Sequence, residues 1–599
     1  MTEIGKVKER SEVPGSMKWD LSKLYGSTEE WGSDLDLLEA QVPDIGRFKG
    51  RLSTSKTVIA ECLRSQDDLS RALGKLYTWA HLKHDEDLND TLYQSLHDKA
   101  VNLMTRIGTE TSYMVPELLS MPKEDLESLL KDPTLEFARV PLRSIIRQKD
   151  HYLSKEEERL LAMAAESLEA SSKTYRMLND ADLRFPSVVD DKGAEVEISH
   201  GRFISLLMSR DRRVRREAFE RFYSVYVSHR NTFAAVLEGE LKQRSFVSSA
   251  RNYPSALHAS LDEDEVGPEI YNGLIAAVRG SLDVFHRYVG IRKRSLGLDE
   301  LHMYDVYVPL VEELDRTFEW DEACELVISG LQPLGSDYIE LVKEGLSSNW
   351  IDVLENRGKR SGAYSSGCYD SPPYILMNYQ ENIKELFTLA HEMGHSIHSL
   401  LSHRSQPHIT ADYRIFVAEV ASTLNESLLM ERLLNEWGTR KEQAFLVNHY
   451  LDSFKGTVFR QTMFAEFERD ISAMVERNIP LTPALLTDHY LKLNRDHFGP
   501  DMVMDPEIGL EWARIPHFYY DFYVYKYATS FSVASAISSR LLSGDKEQLG
   551  RYLSMLSAGG SKPPLELLRD AGVDLSTPAP ISEALRVFSD LVDRFNGLS

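Results

Sequence analysis

The segment His391-Glu392-Met393-Gly394-His395 carries the residue types best suited to chemistry. Two imidazoles four residues apart share one face of a helix and can grip a single Zn2+. Glu392 sits one step round the helix, close enough to take a proton from water bound to such an ion. The chemistry is hydrolytic, and the first expectation is a zinc-dependent peptidase. The same spacing also occurs by chance in a chain with 18 histidines, as two solvated imidazoles on an ordinary helix. The flanking elements distinguish the two.

Upstream, the short apolar run Tyr374-Ile375-Leu376-Met377-Asn378-Tyr379 follows Pro372-Pro373 and predicts a strand. Asn382 is a candidate N-cap with Glu385 three residues on. Ile383, Leu386, Phe387, Ala390, Ile397 and Leu401 follow a helical period, with the histidines beside that stripe. Gly394 inside this helix costs about 1 kcal/mol relative to Ala. It is either a point of close backbone approach or a tolerated defect. Zinc needs a third protein ligand and a fourth position for water. Glu419 is the candidate, in a second helical pattern with Phe416, Val417, Val420, Leu424 and Leu428. A carboxylate among apolar residues calls for a cation. Glu426, seven residues on, shares its face and could orient a ligand histidine. His398 competes for the third position. One straight helix, however, spreads residues 391–398 over about 10 Å, too far to close round a tetrahedral ion. His398 is therefore read as a cleft or packing residue.

These residues resemble the oligoendopeptidase F family, which is related to thimet oligopeptidase and neurolysin. The match begins with His391 to His398 and continues through Phe416-Val417-Ala418-Glu419-Val420-Ala421-Ser422. That family places its third zinc ligand about two dozen residues after the second histidine, and Glu419 lies 24 after His395. Lys18-Trp19-Asp20-Leu21, Met303 to Leu310, Lys359 to Tyr364, Trp512 to Tyr520 and Tyr525 to Thr529 extend the likeness over nearly the whole chain. By this resemblance His517, Tyr520 and Tyr527 donate hydrogen bonds to the oxyanion. The interval from His517 to Tyr520 is shorter here than in those relatives. On spacing alone, Tyr520, Tyr523 and Tyr527 fall on one helical face, a stripe that could equally be core. The resemblance also implies a helical shell round a deep, narrow channel, and so short peptides as substrates.

The chain has 599 residues, 42% hydrophobic and 27% charged, an ordinary globular composition. With 69 basic and 93 acidic residues its net charge is −24, which argues against nucleic-acid binding. Cys62, Cys324 and Cys368 form neither a disulfide framework nor a Cys-zinc site. The stretch from Met1 to Arg10 has no apolar core of a signal peptide, and no run is long enough to span a membrane. A cytoplasmic protein is expected.

Most of the chain reads as amphipathic helix, interrupted near residues 183–198 by a β-hairpin turning at Asp190-Asp191-Lys192-Gly193. The expected fold is mostly α, with a small β-sheet beside the zinc-binding helix. Three consecutive regions are expected: 1–115 helical, 116–200 helical and ending in the hairpin, and 201–599 catalytic. The expected function is a one-zinc endopeptidase cutting internal bonds of oligopeptides. Its base would be Glu392, its metal ligands His391, His395 and Glu419. The rivals are a zinc carboxypeptidase of similar fold and a non-catalytic peptide binder with a structural metal. Oligomeric state is not legible.

Overall fold

A computed structural model of the chain describes residues 7–312, 314 and 316–598. Residues 1–6 of the polar N-terminal stretch lie outside the described residues. The fold is mostly α, with only short strands. No described helix is long and apolar enough to cross a membrane, and Cys62, Cys324 and Cys368 are free.

Contacts group the chain into two compact units. The first comprises Met1–Tyr152, Asp315–Leu433 and Ile537–Val573. Its helices start at side-chain caps. Ser55 accepts the Thr57 amide to open Lys56–Glu86, and Asp90 accepts the Leu92 and Tyr93 amides to open Thr91–Thr111. Such caps satisfy donors that the first helical turn leaves open. Leu69, Leu73, Leu76 and Ala80 then bury one stripe of the long helix, and Trp79 stacks on Trp31 with centroids 6.2 Å apart.

The same core reaches a three-stranded sheet. Tyr374–Leu376 lies at its centre, parallel to Ile351–Asp352 and antiparallel to the edge strand Tyr364–Ser366. In register, Ser365 faces Ile375. Tyr374, Ile375 and Leu376 are all fully buried, which is why this strand reads as a continuous apolar run. It is shorter than the predicted Tyr374–Tyr379.

The second unit comprises Leu153–Leu314, Leu434–Ala536 and Asp574–Ser599. The predicted hairpin forms, with Ser187 opposite Glu197 and Gly193 at φ +83° in its turn. Ser199 caps the next helix, His200–Leu207. The long helix Arg212–Ala250 buries an aromatic ladder. Its Phe222 stacks on Phe203 at 3.8 Å and on Phe185 at 4.7 Å. The segment after His517 departs from the expected helical stripe. Tyr520, Tyr523 and Tyr527 do not share a helix, because Asp521 and Phe522 adopt φ of 52° and 57° and the helix begins only at Tyr525. Two successive left-handed residues cannot continue a right-handed helix.

Candidate metal centre

In the first unit, Asn382 accepts the Glu385 amide at 3.0 Å and starts helix Ile383–Ser405. Leu386, Leu389, Ala390, Met393 and Ile397 are fully buried, which leaves His391 and His395 on the half-buried flank. Helix Ile415–Glu436 buries Val417, Val420, Ala421 and Leu424, and turns Glu419 and Glu426 to its half-buried side.

Gly394 is where these helices meet. A Cβ there would stand 2.7 Å from the Ala421 carbonyl oxygen and 2.7 Å from the Ser422 Cα. Of the two readings of this glycine, close backbone approach is the one the packing requires. Asn425 secures the crossing. Its amide donates to the Ala390 carbonyl at 3.1 Å, and its Oδ1 accepts from the Tyr338 hydroxyl at 3.2 Å. Sequence reasoning missed Asn425. The available signal was a polar residue beside Leu424 in an apolar stripe, which must find a buried partner.

Three donors converge as a result. His391 Nε2 lies 3.7 Å and His395 Nε2 3.9 Å from Glu419 Oε2. Ligand atoms of all three residues lie within 4.8 Å of one another. Ligands at about 2.0–2.1 Å from a tetrahedral zinc sit about 3.4 Å apart, so this group fits such an ion after only a small contraction. Two imidazoles and a carboxylate are also the donor chemistry that zinc takes.

The surroundings orient the set. His391 Nδ1 is 2.5 Å from Glu426 Oε1, which holds the ring with Nε2 toward Glu419. Burial disfavours the imidazolium of His391, but the Glu426 hydrogen bond and charge prevail and raise it to about 9. Burial, then the His391 charge, push His395 down to about 3. A divalent cation would take the place of that one proton. Glu392 is 7% exposed, and its Oε2 is buried without a protein hydrogen-bond partner. Burial pushes its carboxyl up to about 7, with His391 opposing and Glu419 reinforcing. His398 stands apart from the group. It stacks on Tyr413 at 3.6 Å, and burial pushes it down to about 3.

The edge strand is tied to the same helix. Ser365 Oγ and Ser396 Oγ are 2.8 Å apart, and the Tyr364 hydroxyl donates to the fully buried Asp85 at 2.7 Å. Neither contact was legible in sequence, because the partners are far apart along the chain.

The remaining candidates, His517, Tyr520 and Tyr527, belong to the second unit and form a group of their own. The Tyr527 hydroxyl is 3.4 Å from His517 Nε2, and the His517 and Tyr520 rings are 5.5 Å apart. Burial lowers the His517 pKa, which favours a neutral ring. Tyr520 is 53% exposed, free to meet a ligand.

Comparisons with known proteins agree with this architecture. A family model described as Peptidase family M3 matches residues 205–587, and one described as Oligopeptidase F matches residues 117–185. Oligopeptidase PepF of Bacillus subtilis (strain 168) is 44% identical over 591 residues, covering 98% of this chain and 88% of the relative. Group B oligopeptidase PepB of Streptococcus agalactiae is 40% identical, covering 97% of each. The crystal structure of oligoendopeptidase-F from Enterococcus faecium superposes with a TM-score of 0.74 at 37% identity, covering 95% of this chain and 99% of that one. A Chlamydophila abortus crystal structure gives a TM-score of 0.95 at 36% identity, covering 99% and 100%. The chain therefore belongs to peptidase family M3 and is a metallopeptidase of its oligopeptidase F group.

Proposed function

We propose that this metallopeptidase is a zinc-dependent endopeptidase that hydrolyses internal bonds of short oligopeptides. The observation that carries the reading is the convergence of His391, His395 and Glu419 beside Glu392, whose Oε2 has no protein partner. His391 and His395 through Nε2, and Glu419 through its carboxylate, would hold the ion. Zinc, when bound, supplies a Lewis acid that acidifies water and polarises a peptide carbonyl. Glu392 takes the proton of the attacking water on its carboxylate and delivers it to the leaving amine. Glu426 fixes the orientation of His391. The edge strand Tyr364–Ser366, held by Asp85 and Ser396, has a strand partner on one side only among the described residues, so an extended peptide can add alongside it.

His517, Tyr520 and Tyr527 are proposed as donors to the oxyanion, in a catalytic region spanning 201–599. The motif and their mutual contacts support this assignment. Neutral imidazole and phenol donors in a preorganised site each contribute a few kcal/mol to such stabilisation, about 3 kcal/mol being typical. Oligopeptide substrates and endopeptidase action are supported by the names of the relatives. A cytoplasmic location belongs to the same proposal, supported by three cysteines that remain free.

Glu392→Gln tests the mechanism. The variant is expected to retain zinc by elemental analysis and to lose peptide cleavage. Cleavage at the parent rate would remove Glu392 from the base role. A peptide blocked at both ends, digested and read by mass spectrometry, should yield internal fragments. Stepwise release of single C-terminal residues from an unblocked peptide would instead mark a carboxypeptidase.

A further inference from the structure

A pocket of about 320 Å³ opens in the second unit, lined in part by Tyr175, Glu240, Gln243, Pro516, Tyr519 and Tyr520. Tyr175 is 1% exposed and stacks on Tyr519 with centroids 4.1 Å apart. Its hydroxyl is buried without a protein hydrogen-bond partner. A phenol so placed can still accept or donate, and leaving it unpaired is costly.

The charges behind this wall do not balance. Arg244 Nε is 3.2 Å from Glu240 Oε1 and 3.6 Å from Asp521 Oδ1, and Arg244 Nη1 is 3.0 Å from Glu468 Oε1. One guanidinium thus serves three carboxylates. Glu468 is fully buried, and its Oε2 also lacks a partner. Burial raises all three carboxyls against the pull of Arg244, Glu468 to about 7. The other cations nearby do not restore neutrality. Lys526 is 2.5 Å from Asp264, and Arg176 lies at the exposed rim, where Glu169 also lines the pocket. Buried carboxylates in excess are stabilised by a further cation. A chain of net charge −24 also attracts cationic ligands.

We propose that this pocket is a substrate subsite for a cationic group of the peptide, either a lysine or arginine side chain or the free α-amine. Glu240 is its specificity-determining carboxylate, and the Tyr175 hydroxyl is its second acceptor. The proposal rests on the reading that His517 and Tyr520 act on the substrate, since Tyr520 lines the pocket and Pro516 adjoins His517.

The test uses the full-length, zinc-loaded protein carrying Glu392→Gln, so that peptides bind without turnover. The probes are labelled peptides of alanine and serine with a single lysine at successive positions. Norleucine counterparts remove the charge, and acetylated versions remove the α-amine. At one lysine position, or for the free α-amine, the cationic peptide should bind about tenfold more tightly than its neutral counterpart, the size of a charge-assisted hydrogen bond. Adding Glu240→Gln should abolish that ratio. Adding Tyr175→Phe, which deletes one hydroxyl from a stacked ring, should narrow it even if the Glu240 variant folds poorly. A protein that never distinguishes charged from neutral peptides, or a folded Glu240→Gln variant that keeps the full ratio, overturns the subsite. Failure of the Glu392-intact protein to cleave any of the peptides would count against the proposed endopeptidase function instead, and leave the binding ratios to decide the pocket.

Discussion

Two buried glutamates, one in each unit, show how differently a protein can treat the same carboxylate. Glu511 is 1% exposed and surrounded by donors. Arg460 and Arg514 reach its Oε1 at 2.6 and 2.7 Å, and the Tyr490 hydroxyl donates to its Oε2 at 2.6 Å. Burial alone would raise its pKa, but the two guanidinium charges overcome this and hold it at about 2. Glu392 is also buried, yet one of its oxygens has no partner and no arginine or lysine is paired with it. The first arrangement is complete within the protein. The second is complete only when something else is bound. Compensation of charge, more than burial, separates the structural carboxylate from the one proposed as the base.

Exchanging charge for amide at the two positions should therefore break different properties. Glu392→Gln should lower kcat on a peptide by about 10³-fold, within the range for loss of a general base, with no loss of stability in urea. A stability loss comparable to that at Glu511 would erase the distinction. Glu511→Gln should instead cost about 3 kcal/mol of unfolding free energy, because it leaves two buried guanidinium groups undercompensated. The sign of its pH dependence follows from the depressed pKa. The stabilisation is complete above the unfolded glutamate value of about 4.3 and is lost as pH falls toward the folded value. The gap between parent and variant in urea melts should close over that acid range.

Smaller effects should come from residues that place the metal group. Gly394→Ala puts a methyl where backbone atoms already stand at 2.7 Å, and should cost about 2 kcal/mol in a urea titration while weakening zinc retention. An unchanged midpoint would mean that the helices can part freely. Glu426→Gln should retain the fold and lower zinc affinity about tenfold, measured by competition with a chelator. Equal affinity would show that the 2.5 Å contact does not tune His391 as the proposed ligand.

Much of the proposed metal group was legible along the chain because its parts are local. The four-residue histidine spacing, the Asn382 cap and the apolar period place both imidazoles on one flank before any packing is known. Glu419 was legible as a carboxylate among apolar residues, and Glu426 followed from sharing its face. The tyrosines after His517 were misread as one helical stripe. Periodicity does not register the left-handed backbone at Asp521 and Phe522, neither of which is glycine. The Glu511 cluster was not visible at all, since Arg460, Tyr490 and Glu511 come from separate segments.

By itself, then, the order of residues determined which side chains could bind a divalent ion and which helical flanks would carry them, because a helix converts spacing into direction. Tertiary structure alone decided that Gly394 lets two helices touch, that Asn425 joins them through Ala390, and that Glu392 keeps an unpartnered oxygen while Glu511 does not. Those outcomes depend on which distant groups share a desolvated space, and burial multiplies the energetic difference between a paired charge and an unpaired one.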